Sequence, residues 1–265
     1  DVSLSTVMGG ITLTGGNIRS QAGAVGLDAA GDITLMGNVE SELDLNVTSS
    51  GGAVWSGSLK AHGGSVTVQS DSDVYASDVQ AGSDISVTST AGDITSDLFI
   101  SADNDFTLNA ESGSIAIAYA LVSGDATLTA TDQIAFRTAA GGDLSVTSTA
   151  GDIEVLGGST GNSAYAAGDI LLSASGGIAA NGAIESGASL TLSGGSIEAA
   201  NTITAAGSAS LSASGLIDIQ DTLTASGDVS LSTVMGGITL TGGNIRSQAG
   251  AVGLDAAGDI TLMGN

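Results

Sequence analysis

"DVSLSTVMGGITLTGGNIRSQAGAVGLDAAGDITLMGN" occupies residues 1–38 and recurs without a substitution at 228–265. A segment that begins at Asp1 and returns unchanged at Asp228 marks a tandem array, and periodicity has to be read before any local feature. Inside the segment lies a shorter rhythm. Val2 and Leu4 alternate with polar residues, then Ile11 follows two glycines, then Ile18 follows Gly-Gly-Asn. The pattern restarts at Val25 and Leu27 and continues to Ile33 and Val39. Each restart therefore carries three short apolar–polar alternations separated by Gly, Asp, Asn and Ser, which is the signature of short strands broken by turns.

Beyond this segment, the apolar–polar–apolar triplet recurs at Leu45/Val47, Val66/Val68, Ile85/Val87, Phe106/Leu108, Ala126/Leu128 and Leu144/Val146. It continues at Ile170/Leu172, Leu190/Leu192, Ala209/Leu211, Val229/Leu231 and Val252/Leu254. The shortest step runs from Ala126 to Leu144 and the longest from Leu144 to Ile170. Eleven steps lead from Val2 to Val229, a mean of about 20 residues each, within the range of periods that marks solenoids. The second alternation recurs at Val54, Val74, Ile94, Ile115, Ile134, Ile153, Ile178, Ile197, Ile217, Ile238 and Ile260. A weaker third appears at Leu59, Val79, Ile184, Ile203, Leu223 and Ile245.

Three strands per step, with equivalent residues one step apart, predict an all-β fold: a parallel β-helix, or β-solenoid, of about 20 residues per turn. Successive turns would stack roughly 4.8 Å apart, with inward residues forming apolar columns. An antiparallel sandwich also has short strands and Gly-rich turns, but nothing in it demands the same three-part pattern at every step. Helices are disfavoured by Gly, Ser, Thr and period-two alternation. Steps of variable length suit a right-handed solenoid with tolerant corners better than a strict left-handed hexapeptide one. The array is expected to run continuously over 1–265, with 1–227 one large unit of eleven turns and 228–265 the start of the next.

Composition agrees. Proline is absent, and proline removes a ladder hydrogen bond from any central strand. Glycine supplies 41 residues, expected at corners needing unusual φ/ψ. Hydrophobic residues make up 42%, enough for a packed interior despite a formal charge of −24. That charge argues against nucleic acid, whose phosphates need Lys and Arg, and against anionic membrane surfaces. No apolar run approaches the roughly 18 residues of a membrane-spanning helix. Without cysteine there is no disulfide and no thiolate metal site.

The motif aGDIxLxA…GGI resembles the shaft repeats of filamentous-haemagglutinin-type adhesins, the large bacterial exoproteins of cell surfaces and biofilm matrices. It is clearest in "SVTSTAGDI" at 86–94 and 145–153 and "GDITL" at 31–35 and 258–262. The resemblance implies secretion, an extracellular location on the bacterial surface, and a long stalk for attachment. Partners would be a host or bacterial surface, a matrix polysaccharide, or further copies of the filament.

Two groups of residues stand out as candidate sites. Asp84, Asp105, Asp125, Asp143 and Asp169 precede the first alternation in five consecutive turns. Stacked corners would align their carboxylates, and like charges directly opposite destabilise a sheet. Calcium, which takes several oxygen ligands, could bridge them. The alternative is local turn chemistry, with each Asp accepting corner N–H groups of its own turn. Asp32, Asp93, Asp152 and Asp259 before the second alternation read the same way.

The second group is "VWSGSLKAH", which holds the only Trp, Lys and His: Trp55, Lys60 and His62. Alternation after inward Val54 sends Trp55 outward, where it could contact a sugar or a neighbouring filament. The longest turn carries an insertion, "LGGSTGNSAYAAG", expected to be a protruding contact loop with Tyr165.

Outward Ser, Thr and Asn in the first strands form a hydroxyl-rich strip that raises an ice-binding alternative, although Leu171 interrupts it. A carbohydrate-active enzyme is the other alternative, since β-helices can present paired carboxylates in a groove. One His, few basic residues and no Cys provide no nucleophile–base pair, so a non-enzymatic protein is expected.

Overall fold

A computed structural model describes residues 1–158 and 163–263. The described residues contain no helix, and every element is a strand of three to nine residues. Two compact units, Asp1–Thr131 and Asp132–Asn265, divide the chain. Each is a parallel β-solenoid.

In the first unit the opening strands of successive turns are Val2–Thr6, Val25–Ala29, Leu45–Ser49, Val66–Ser70, Ile85–Ser89, Phe106–Ala110 and Ala126–Ala130, paired in that order. Register is maintained without slippage: Leu45 pairs with Val66, Val66 with Ile85, Ile85 with Phe106 and Phe106 with Ala126. In the second unit Leu144–Ser148, Ile170–Ala174, Leu190–Gly194, Ala209–Ala213, Val229–Thr233 and Val252–Ala256 stack likewise. The expected parallel stacking, one turn per repeat of the triplet, is therefore the observed one. Period-two alternation buries one face of each strand: Val87, Leu108 and Leu128 are inward and at most 3% exposed, while Thr107 between Phe106 and Leu108 faces water.

Second and third strands follow two patterns. In three turns they fuse into one long strand, Ile33–Ser41, Val54–Ala61 and Val74–Ala81. Elsewhere a corner separates them, as in Ile115–Ile117 and Ala120–Val122. Third strands also occur at Phe99–Ala102, Thr138–Ala140 and Ala164–Ala166, where the weak third signal was not legible. Their inward residues are mostly small, such as Ala102, Thr138, Ala140, Ala164 and Ala166. A hydropathy pattern built on Val, Ile and Leu passes over Thr138–Ala140 and Ala164–Ala166, whereas Phe99–Ala102 does carry an inward Ile100.

The glycines require a correction. Among described residues only Gly9, Gly16 and Gly243 have positive φ. Unusual backbone angles therefore do not account for most of them. Close approach does: a Cβ on Gly10, Gly37 or Gly82 would run into the backbone of an adjacent turn. Parallel stacking brings corner backbones together at every step, and a side chain there has nowhere to go.

Candidate functional site

The acidic corners are held by a device the sequence did not reveal. The carboxylates of Asp44, Asp84, Asp105, Asp143 and Asp169, before first strands, each accept an N–H of the following turn. The Asp105 carbonyl accepts the Ile85 N–H of the preceding turn at 2.9 Å, and its Oδ1 accepts the Asp125 N–H of the following turn at 2.9 Å. Asp44 does the same with Val25 N–H (2.9 Å) and Ser65 N–H (3.0 Å). Asp169 does so with Leu144 N–H (2.9 Å) and Ser189 N–H (2.8 Å). Asp84 accepts Asp105 N–H at 3.2 Å and the Asn104 side-chain amide at 2.6 Å. Asp143 accepts Asp169 N–H at 2.8 Å. Asp125 gives its N–H to Asp105 and takes that of Phe106 on its carbonyl. Before the second strands, Asp32, Asp73, Asp93 and Asp152 hold Ala53, Asp93, Ser114 and Gly177 N–H groups. One aspartate thus fastens three consecutive turns.

This fastening explains the Gly that precedes so many corner residues. The residue before the captured N–H is Gly23, Gly52, Gly64, Gly92, Gly113, Gly124, Gly168, Gly176 or Gly250, and at each a Cβ would collide with the capturing carboxylate. Asn104 and Ala188 occupy the equivalent place above Asp84 and Asp169. At the nine glycine positions the glycine and the residue after it are therefore half of an inter-turn contact whose other half is an Asp one turn earlier. The local turn reading of these aspartates had the right chemistry, a carboxylate accepting an amide, but the wrong partner. Among described residues no cluster of three or more Asp, Glu or His is placed to hold a metal ion.

Buried hydroxyls do a related task. Ser89 Oγ accepts Gly92 N–H at 3.0 Å and donates to the Ser72 carbonyl of the preceding turn at 2.6 Å. Ser49 and Ser70 make equivalent contacts. Satisfied in this way, they can lie in the core. The hydroxyls of Ser56, Ser96 and Thr138 are buried with no hydrogen-bond partner.

The contact candidates separate. Trp55 is outward and 49% exposed, as alternation requires. Lys60 lies beyond it on the same fused strand, in register with Glu40 and Gln80, and His62 is exposed at the next corner. Tyr165 belongs to the second unit and sits on the strand Ala164–Ala166, in register with Glu185, not in a loop. Its Ala neighbours are the inward residues, which is why the strand escaped notice. Residues 159–162 of the insertion lie outside the described residues.

What accompanies Trp55 is Tyr75, its register partner one turn on, with ring centroids 5.5 Å apart and planes tilted by 31°. The signal was present: Trp55 follows inward Val54, and at the next repeat Tyr75 follows inward Val74. Tyr75 Oη donates to Asp97 Oδ2 at 2.8 Å and accepts from Ser77 Oγ at 3.2 Å. With exposed Met36 these rings border an open groove of about 570 Å³.

Fold and geometry define the class, a parallel β-solenoid fastened by inter-turn aspartates. Comparison of the chain with protein-family models, curated proteins and solved structures returns no match.

Proposed function

We propose that the chain is a stretch of the repetitive stalk of a secreted bacterial adhesin or extracellular filament, giving reach and stiffness rather than catalysis. The observation that carries this reading is the behaviour of the repeated segment. Val2–Thr6 pairs with Val25–Ala29 and Ile11–Leu13 with Ile33–Leu35 in the first unit. Val229–Thr233 pairs with Val252–Ala256 and Ile238–Leu240 with Ile260–Leu262, residue for residue, in the second. A segment that reproduces its pairing wherever it occurs can be added indefinitely, because each new turn buries the same columns and offers the same edge. The adhesin-like repeats "SVTSTAGDI" and "GDITL" favour an extracellular setting for such an array.

The test is length. Polypeptides carrying one, two and three copies of residues 1–227 should lengthen by about 53 Å per copy, at about 4.8 Å per turn, by small-angle scattering or force microscopy. Compact particles of unchanging length would overturn the stalk. New reducing ends or unsaturated sugars released from polysaccharides would favour an enzyme instead.

A further inference from the structure

The groove beside Trp55 has features that the stalk reading does not use. It lies on the second-strand face of the first unit, where Thr34, Trp55, Tyr75 and Thr95 occupy one outward column. Most outward positions on these solenoids are small or polar. Here Met36, 74% exposed, Trp55 and Tyr75 gather on adjacent turns. Gly57 borders the groove, and it differs from the corner glycines. The nearest atoms to a Cβ there would be the backbone oxygens of Leu35, Met36 and Gly37 at 3.8–3.9 Å, an ordinary contact. Packing does not require glycine at this position, and its effect is to leave the groove open.

We infer that this groove binds a neutral glycan, with Trp55 and Tyr75 against the C–H faces of sugar rings and Asp97, Ser77 and Thr34 hydrogen-bonding their hydroxyls. Aromatic rings with a polar handle suit a ligand that is apolar on its faces and polar at its rim. Asp97 and Ser77 are already oriented on Tyr75 Oη. Among the described residues no Lys, Arg or His borders the groove, and the chain carries −24 overall, so an anionic glycan or nucleic acid is disfavoured. A peptide adding as a strand needs an unpaired edge. The strands here pair on both sides, Val54–Ala61 with Ile33–Ser41 and Val74–Ala81. A second copy of the chain is also disfavoured, because a stable protein interface buries roughly 800 Å² per partner and this patch is three large side chains wide.

Trp55 is the only Trp, so its emission reports on the groove directly. The full chain is titrated with cellohexaose, mannohexaose and xylohexaose, with oligogalacturonate as the anionic control. At least one neutral oligosaccharide should produce a saturable blue shift, and oligogalacturonate none. Gly57→Leu, which fills the groove without touching the core, and Asp97→Ala should each weaken binding at least tenfold, while Thr107→Ala on another face should not. Circular dichroism and melting verify that each variant is folded. No saturable change with any neutral sugar, unaltered affinity in the folded variants, or a shift that follows protein concentration and sedimentation rather than sugar would each overturn the proposal. The last would indicate self-association. The site does not rest on the stalk reading: rod length and sugar binding are measured separately and can fail separately.

Discussion

Asp143 and Gly168 illustrate the logic at the scale of residues. The carboxylate holds the Asp169 N–H so close to residue 168 that a Cβ built there would collide with it; above Asp169, where Ala188 takes the equivalent place, the turns accommodate a Cβ. Gly168→Ala should therefore destabilise by about 1–3 kcal/mol through overpacking, and Asp143→Ala by about 1 kcal/mol through the lost hydrogen bond. The two effects should not add. Once the carboxylate is gone, the nearest remaining obstacle to a Cβ is the Gly142 carbonyl at 3.1 Å, which a small shift relieves. A double-mutant cycle by urea denaturation should show the pair less destabilised than the sum, by about 0.5–3 kcal/mol. Strict additivity would mean the glycine serves something else. The strand interior offers a second comparison. Leu108 is fully buried and Thr107 exposed, so Leu108→Asp should cost several kcal/mol, whereas Thr107→Asp should cost under about 1 kcal/mol. Equal melting temperatures for both would contradict the register.

At the scale of elements, buried hydroxyls separate strands that need them from strands that tolerate them. Ser89 closes the corner after Ile85–Ser89 by holding Gly92 N–H and the Ser72 carbonyl. Ser89→Ala leaves both without that partner and should lower stability by about 1–2 kcal/mol. Thr138, at the start of Thr138–Ala140, is 1% exposed and its hydroxyl bonds to nothing. Thr138→Val keeps the branched shape that suits a strand and removes the unpaired group, so it should raise stability by about 1 kcal/mol. Chemical denaturation of the two variants should move the midpoint in opposite directions. A loss at Thr138→Val would show that its hydroxyl has a partner.

At the scale of the whole molecule, the two copies of the repeated segment report what an added turn contributes. Val25, Ile33 and Leu35 are at most 1% exposed beneath the turn that follows them. Their counterparts Val252, Ile260 and Leu262 are 46%, 44% and 57% exposed. Produced as residues 1–265 alone, the polypeptide should offer that edge as a template for association. Appending a copy of residues 39–61 after Asn265 should cover it in the way residues 45–61 cover Val25–Ser41. Each large side chain newly buried is worth about 1.5–3 kcal/mol at full burial, so amide exchange at 252–262 should slow and self-association decline. Unchanged exchange would mean that sequence periodicity alone does not propagate the fold.

Periodicity was enough to establish that the chain is a parallel solenoid, which residues of the first strands face inward, and that Trp55 faces out. These follow from alternation and from the return of the same triplet at every step, both properties of the string. The stacked turns were needed to show what the aspartates hold, why glycine precedes the captured amides, where third strands with Ala, Ser or Thr inside lie, and which ring stands beside Trp55. Each depends on a contact between residues one turn apart. The steps are unequal, as 126–144 and 144–170 show, so the partner stays undefined until the turns are stacked. An Asp and a Gly in neighbouring turns look like two separate turn residues along the chain. Stacking makes them a single contact, because parallel pairing brings each corner within hydrogen-bonding distance of the next.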